Sequence, residues 1–238
     1  IAWPHLESDW PDKLYSVEKT YIELVDILSK NEKVEILVSN KERASFFLKD
    51  IKGDFELHEV PTNRSWLRDS APTAVVEDDK LKWISWDFNA WAKYDNYQLD
   101  NKVPEAIAEI TNKELVQAKR PDAEEPLVLE GGAIETNGAG LLITTEECLL
   151  SEVQQRNKGL SKEDYEKAFA KYLGTKETIW LPWGYAEDDT HGHIDDVCRF
   201  VAEDKVVLAY KEEGQNSERA KENLAALEKT NLEVIKLQ

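Results

Sequence analysis

Asp188-Asp-Thr-His-Gly-His-Ile-Asp-Asp-Val-Cys-Arg-Phe200 gathers two of the chain's four histidines and four of its acids in one short run. On an extended backbone, alternate side chains share a face, so His191, His193 and Asp195 would point the same way. Gly192 lets the backbone approach a neighbour closely. Beyond the acids, Arg199-Phe-Val-Ala202 reads as a buried strand. A dense polar cluster opening onto an apolar strand is unfavourable unless its charges meet partners, a ligand or water. The run is therefore the first candidate for chemistry.

The elements on either side repeat. Helix, strand, polar loop with an acid, then hairpin recurs along the chain. The loop acids mark the period: Asp69 to Glu130 is 61 residues and Glu130 to His193 is 63. Periodic apolar residues predict helices over 12–30, 42–49, 103–110, 161–173 and 217–229. Strands are expected at 34–38, 55–60, 114–117, 127–129, 178–181 and 232–237. Hairpins are expected across 77–80, Asn137-Gly138 and 203–205. Residues 61–72 read as a polar loop, and Thr144-Thr-Glu-Glu147 as a capping box opening a helix through Leu150. No linker stands out, so one domain over 1–238 is expected. An α/β radial or solenoid repeat is the simplest architecture with this period. In a radial one, Asp69, Glu130 and the His193/Asp195 pair would meet at a common axis. A plain α/β sandwich is the other reading.

Composition sets limits. The 238 residues carry a formal charge of −18. Nucleic acid is a poor partner for such a chain, because phosphate binding needs clustered Lys and Arg. An acidic field suits a cationic small molecule, although it also simply keeps a protein dispersed. Only Cys148 and Cys198 occur, which excludes a disulfide framework and suggests a reducing, cytoplasmic setting. No signal peptide or membrane-spanning apolar run is visible. Methionine is absent and the chain starts on Ile1-Ala-Trp-Pro4. These features predict an excerpt of a longer polypeptide, incomplete at both ends.

Three constellations carry candidate chemistry. In Trp66-Leu-Arg-Asp69, Asp69 could pair with a cation while Trp66 covers its face; Arg68 and Asp69 could equally form surface pairs. Glu130-Gly-Gly132 sets a carboxylate before two glycines that admit a ligand or a tight turn. His191-Gly-His-Ile-Asp195 could ligate a metal, in the manner of the H-x-H-x-D run of the metallo-β-lactamase fold, but further ligands are scarce and Asp196 replaces the next histidine. Acid/base work by His193, tuned by Asp195, is the alternative. Cys148 and Cys198 both read as buried structural residues. With only His5 and His58 left as further histidines, neither in a motif, no metal is expected, nor any other cofactor.

Together these motifs resemble the agmatine deiminase family, relatives of the bacterial peptidylarginine deiminases in the guanidine-modifying pentein superfamily. The matching stretches are Ala2-Trp-Pro-His5, Trp66-Leu-Arg-Asp69 with Pro72, Trp86-Asp-Phe-Asn-Ala-Trp91, Leu129-Glu-Gly-Gly132, Thr144 to Leu150, and Gly192-His-Ile-Asp195 with Arg199-Phe200. The resemblance implies a five-bladed α/β propeller of repeated ββαβ units, here lacking its C-terminal part. It implies that Asp69 and Asp195 bind guanidinium nitrogens, that Trp66 lines the pocket, that Glu130 adds a carboxylate, and that His193 is the general acid/base. The implied reaction converts agmatine to N-carbamoylputrescine and ammonia through a covalent cysteine intermediate. Deimination of arginine or of arginine in peptides, or guanidine binding without chemistry, are the alternatives. Partners would be a cationic guanidino molecule and, in a homo-oligomer, a second copy of the chain, with neither nucleic acid nor membrane. Three departures are visible. Ala71 stands where Gly commonly precedes the proline, and His191 where many members carry an acid. The family's C-terminal Gly-rich His-Cys motif has no counterpart in these residues, which places the nucleophile beyond Gln238.

Overall fold

The computed structural model describes residues 1–237. Its first unit comprises α1 (Leu14–Leu28), β1 (Val34–Val38), α2 (Lys41–Leu48) and β2 (Phe55–Glu59). β1 and β2 pair in parallel, Val34 opposite Phe55. Ala2 bridges in parallel to Leu37 on the other side of β1. α2 begins where the Asn40 side chain accepts from the Arg43 amide, which meets one of the free donors of a first helical turn. Trp3, Val25, Ile36, Ala44 and Leu48 fill this unit's core.

Three further units follow one plan: a short helical turn, an antiparallel hairpin, helix, and a third strand parallel to the second. The second unit has α3 (Leu67–Ser70), β3 (Thr73–Glu77), β4 (Lys80–Ser85), α4 (Val103–Thr111) and β5 (Glu114–Gln117). The third opens with a 3₁₀ turn, Gly131–Ala133, then β6 (Glu135–Thr136), β7 (Leu141–Thr145), α5 (Glu146–Leu150), α6 (Lys162–Leu173) and β8 (Glu177–Leu181). The fourth opens with the 3₁₀ turn Ile194–Asp196, then β9 (Cys198–Ala202), β10 (Lys205–Ala209), α7 (Asn216–Leu227) and β11 (Glu233–Leu237). Sheet orders are β3-β4-β5, β6-β7-β8 and β11-β10-β9, separate from one another and from β1-β2. A helix between parallel strands is the connection such pairing requires. The β3–β4 turn places Asp78 and Asp79 at φ 50° and 60°, the conformation that continues the strands' own twist through a two-residue hairpin. Ser161 and Asp164 form a reciprocal capping box at the start of α6.

The repeat read from the sequence is therefore present as an α/β chain of mixed sheets. Four local expectations need correction. Residues 127–129 are not a strand: Val128 makes only an isolated bridge to Asp87. The run is apolar because Leu127 and Leu129 are fully buried in the core shared by the second and third units. The polar loop 61–72 contains α3. Residues 199–202 are not a buried strand; in β9 only Cys198 is buried, because β9 is an edge strand. The helix after β7 is capped by Thr145, whose hydroxyl accepts from the Cys148 amide, while the Thr144 hydroxyl donates to the Ala133 carbonyl.

Candidate active site

Each of the three equivalent units begins with a short helical turn, and each turn or the residue before it carries a site residue. Asp69 lies on α3, Glu130 immediately before Gly131–Ala133, and His193 immediately before Ile194–Asp196. The turns meet. Asp69 Oδ1 accepts from the Gly132 amide at 3.0 Å and lies 3.8 Å from His193 Nδ1. His193 Nε2 lies 3.8 Å from Glu130 Oε2, and Asp195 Oδ1 is 4.0 Å from Nδ1. The four residues carried by the resemblance as catalytic thus form one cluster around an imidazole. A side chain at 132 would run into the His193 ring and the Asp69 carboxylate, so glycine is required for this approach rather than for chain freedom.

The His193 loop is not extended. His191 and Gly192 take φ of 63° and 97°, and the Asp188 carboxylate draws the loop together. Its Oδ2 accepts from the Gly192 and His193 amides at 2.8 and 2.9 Å, and Oδ1 from the Thr190 amide at 2.8 Å. The shared face expected for His191, His193 and Asp195 consequently does not form. His193 points inward and is buried, whereas His191 Nε2 lies 3.3 Å from the Ser151 hydroxyl. That removes the H-x-H-x-D metal arrangement.

Electrostatics divide the carboxylates. Arg156 Nε donates to Glu130 Oε1 at 2.9 Å, with both side chains fully buried. Arg156 is itself held by the carbonyls of Gln154, at 2.9 Å, and Thr190. Burial opposes ionisation of Glu130, but Arg156 and His193 overcome it and bring its pKa down to about 2. Burial raises the pKa of Asp69, and its nearest full positive charge would be that of His193. Burial also opposes charge on His193, yet Glu130 and Asp69 raise its pKa above the usual imidazole value. In this cluster the buried atoms Glu130 Oε2 and His193 Nε2 have no hydrogen-bond partner among the described residues. Asp195 Oδ2 accepts from Arg68 Nε at 3.0 Å.

Trp66 is partly exposed, its ring 5.0 Å from that of Trp10 and tilted to it by 45°. It shares a cavity of about 660 Å³ with Asp69, Trp91, Asp9, Arg64 and Asp189. Three contributors were missed in the sequence. Trp91 Nε1 donates to Asp69 Oδ2 at 3.0 Å; Arg156 and Asp188 act as described. Trp91 carried a signal at the end of the Trp86–Trp91 motif and Asp188 as the first acid of the Asp188–Phe200 run, whereas Arg156 carried none. Cys148 belongs to the core as expected, but its sulfur also joins Glu130 and His193 in a trio whose potential ligand atoms lie within 4.8 Å of one another. Burial raises the Cys148 thiol well above its usual pKa and pushes that of Cys198 up to about 12. Neither is a poised thiolate.

Fold and site together define an α/β-repeat protein whose successive units bring carboxylates and an imidazole into one cluster. The family model described as Porphyromonas-type peptidyl-arginine deiminase matches residues 1–238. The chain belongs to that family. It is 37% identical over 228 residues to a provisionally named agmatine deiminase of Vibrio parahaemolyticus, a match covering 92% of this chain and 60% of that protein. It superposes with a TM-score of 0.88 on the agmatine deiminase of Enterococcus faecalis, at 29% identity, covering 100% of this chain and 66% of that one. It superposes at 0.86 on a C. jejuni agmatine deiminase with substrate bound, at 30% identity, covering 99% and 69%. The chain spans about three fifths of the length of the curated relatives it matches. No helix among the described residues is long and apolar enough to cross a membrane.

Proposed function

We propose that the polypeptide containing this chain is a cytoplasmic deiminase that converts agmatine to N-carbamoylputrescine and ammonia. The observation that carries the reading is Asp69: a buried carboxylate with no lysine or arginine partner among the described residues, beside His193 and in the cavity that Trp66 also lines. A planar cation with several N–H donors is the ligand such a carboxylate fits best. The relatives named as agmatine deiminases support the particular guanidine. The three complete ββαβ units, and the partial one before them, support a five-bladed propeller for the whole protein.

In this reading Asp69 and Asp195 take the guanidinium nitrogens, and Trp66 covers the cation. A cysteine thiolate from outside residues 1–238 adds to the guanidinium carbon. His193, kept protonated by Glu130 and Asp69, gives its proton to the departing nitrogen, which leaves as ammonia. The covalent thiouronium then takes a water molecule, whose proton His193 accepts. The C–S bond breaks as the carbonyl forms, the remaining hydroxyl proton passes to solvent, where it is taken up by the released ammonia, the thiolate is regenerated, and the ureido product departs. Glu130 stays ionised throughout, held by Arg156.

The test is product formation by the full-length protein from agmatine and from an arginine-containing peptide. Ureido product and equimolar ammonia from agmatine, at much higher kcat/KM than from the peptide, is the expected result. Preference for the peptide would overturn the substrate, and no ureido product from either would overturn the activity.

A further inference from the structure

The cavity that holds Asp69 contains two other carboxylates, and they differ in what they already hold. Asp189 is occupied: Lys93 Nζ donates to Oδ1, and the Tyr94 hydroxyl donates to Oδ2 at 3.0 Å. Asp9 is not. Its Oδ2 is buried and has no hydrogen-bond partner, and it forms no ion pair among the described residues. Arg64, which lines the same cavity, is turned away onto Asn96, donating to its carbonyl at 2.6 Å and its side-chain oxygen at 2.8 Å. Its guanidinium lies 4.6 Å from the centre of the Tyr94 ring. Asp9 therefore lines the same space as Asp69 with no positive partner of its own among the described residues, and a half-buried carboxylate without a partner has a desolvation cost that a cationic ligand can offset. Burial raises its pKa, with Arg64 and His5 only partly opposing this.

The tilted pair Trp10 and Trp66, with ring centres 5.0 Å apart, lies beside the two carboxylates in the chain. Trp10 follows Asp9 directly, and Trp66 lies on the same cavity wall as Asp69. Trp66 and Trp91 line the cavity together with both carboxylates, so an alkyl chain crossing it between Asp69 and Asp9 has aromatic surface to lie on. We infer that Asp9 is the specificity-determining anchor for the ammonium end of a guanidinium–ammonium dication whose guanidinium sits on Asp69. This rests on the reading of the cavity as a guanidine site, and it assigns the recognition of the substrate's far end, which the Asp69–Glu130–His193 cluster leaves open.

The test uses the full-length protein, agmatine, and butylguanidine, which keeps the guanidinium and the alkyl chain but lacks the ammonium. Asp9→Asn should raise KM for agmatine roughly 10- to 100-fold with kcat nearly unchanged, the loss of one hydrogen bond between charged groups. Butylguanidine kinetics should be the same in wild type and variant, and Asp9→Glu should recover part of the agmatine preference. A structural role for Asp9 would weaken both substrates equally, and that result overturns the inference. So does a wild-type protein that prefers butylguanidine. Should neither guanidine give product, the deiminase reading fails separately. Calorimetric binding of the two compounds then decides the inference alone: tighter binding of agmatine that vanishes in Asp9→Asn sustains it, and equal binding overturns it.

Discussion

Asp69 and Glu130 open equivalent units, one turn of chain before a hairpin, and both are removed from water beside the same imidazole. Their protons are nonetheless held in opposite senses. Glu130 has a buried arginine at 2.9 Å and titrates at about 2. Asp69 has only amide and indole donors, and burial raises its pKa. The difference lies in where the compensating cation resides. For Glu130 it is built into the protein, so the group is a fixed charge that stabilises the fold and keeps His193 protonated. For Asp69 no such cation is built in among the described residues; under the proposed function the ligand would supply it, and the group's ionisation and ligand binding would be coupled.

The contrast is broken most directly by exchanging each carboxylate for its amide. Asp69→Asn should reduce kcat/KM for agmatine by about 10³-fold, since it removes the charge a buried guanidinium needs. It should leave the unfolding midpoint unchanged or slightly higher, because a poorly compensated carboxylate has gone. A large stability loss would place a resident cation at Asp69 after all. Glu130→Gln should do the reverse in its main effect, destabilising the fold by about 3 kcal/mol because Arg156 keeps a buried charge without its partner. That gap depends on pH. Glu130 has a folded pKa below its ordinary 4.5, so its contribution is complete above 4.5 and is lost as pH falls towards 2. His193 has a folded pKa above its ordinary 6.5, so its contribution is complete below 6.5 and is lost as pH rises through the folded value. Denaturation of wild type and Glu130→Gln across pH should show the widest gap between about pH 4.5 and 6.5. A gap that is flat down to pH 2 would contradict the buried pair.

The same contrast explains what was readable in the sequence. The repeat was legible because Asp69, Glu130 and His193 mark it at nearly constant spacing, and because apolar periodicity tracks helices and strands. Their convergence was legible only as a consequence of radial order. Arg156 was not legible, since an arginine in a polar run looks the same whether it is solvated or faces Glu130. The His191–Asp195 run was misread as extended because alternation assumes a strand, whereas Asp188 binds the Gly192 and His193 amides and folds the loop back. Residues 127–129 were misread because a short, wholly apolar run fits a buried loop as well as a strand. Cys148 was correctly placed in the core, but its nearness to Glu130 and His193 depends on how α5 packs, which no local pattern records.

Trp91 tests the contrast more finely, because its indole is one of the two donors Asp69 has in place of a cation. Trp91→Phe removes that donor and keeps most of the ring. It should lower kcat/KM about tenfold, the scale of one hydrogen bond to a charged group. Because the indole lowers the Asp69 pKa, its loss raises that pKa further, so the acidic limb of the pH–kcat/KM profile should move to higher pH. A uniform loss of rate with an unmoved limb would mean that Trp91 only packs.

The smallest effect comes from the turn that aims this indole. Ala90, Trp91 and Ala92 have φ of 50°, 59° and 51° in succession, a left-handed run that side chains disfavour. At Ala92 the Cβ has this conformational cost, so Ala92→Gly should stabilise the protein by about 0.5–1 kcal/mol, the relief of the side-chain penalty less glycine's greater entropy when unfolded. Chemical denaturation measures it, and activity should stay within about twofold because a glycine accommodates the same turn and leaves the indole aimed at Asp69. If Ala92→Gly instead lowers kcat/KM and shifts the acidic limb as Trp91→Phe does, the alanine is what holds the turn shut. The strain would then be a condition of Asp69 being held by donors rather than by a charge.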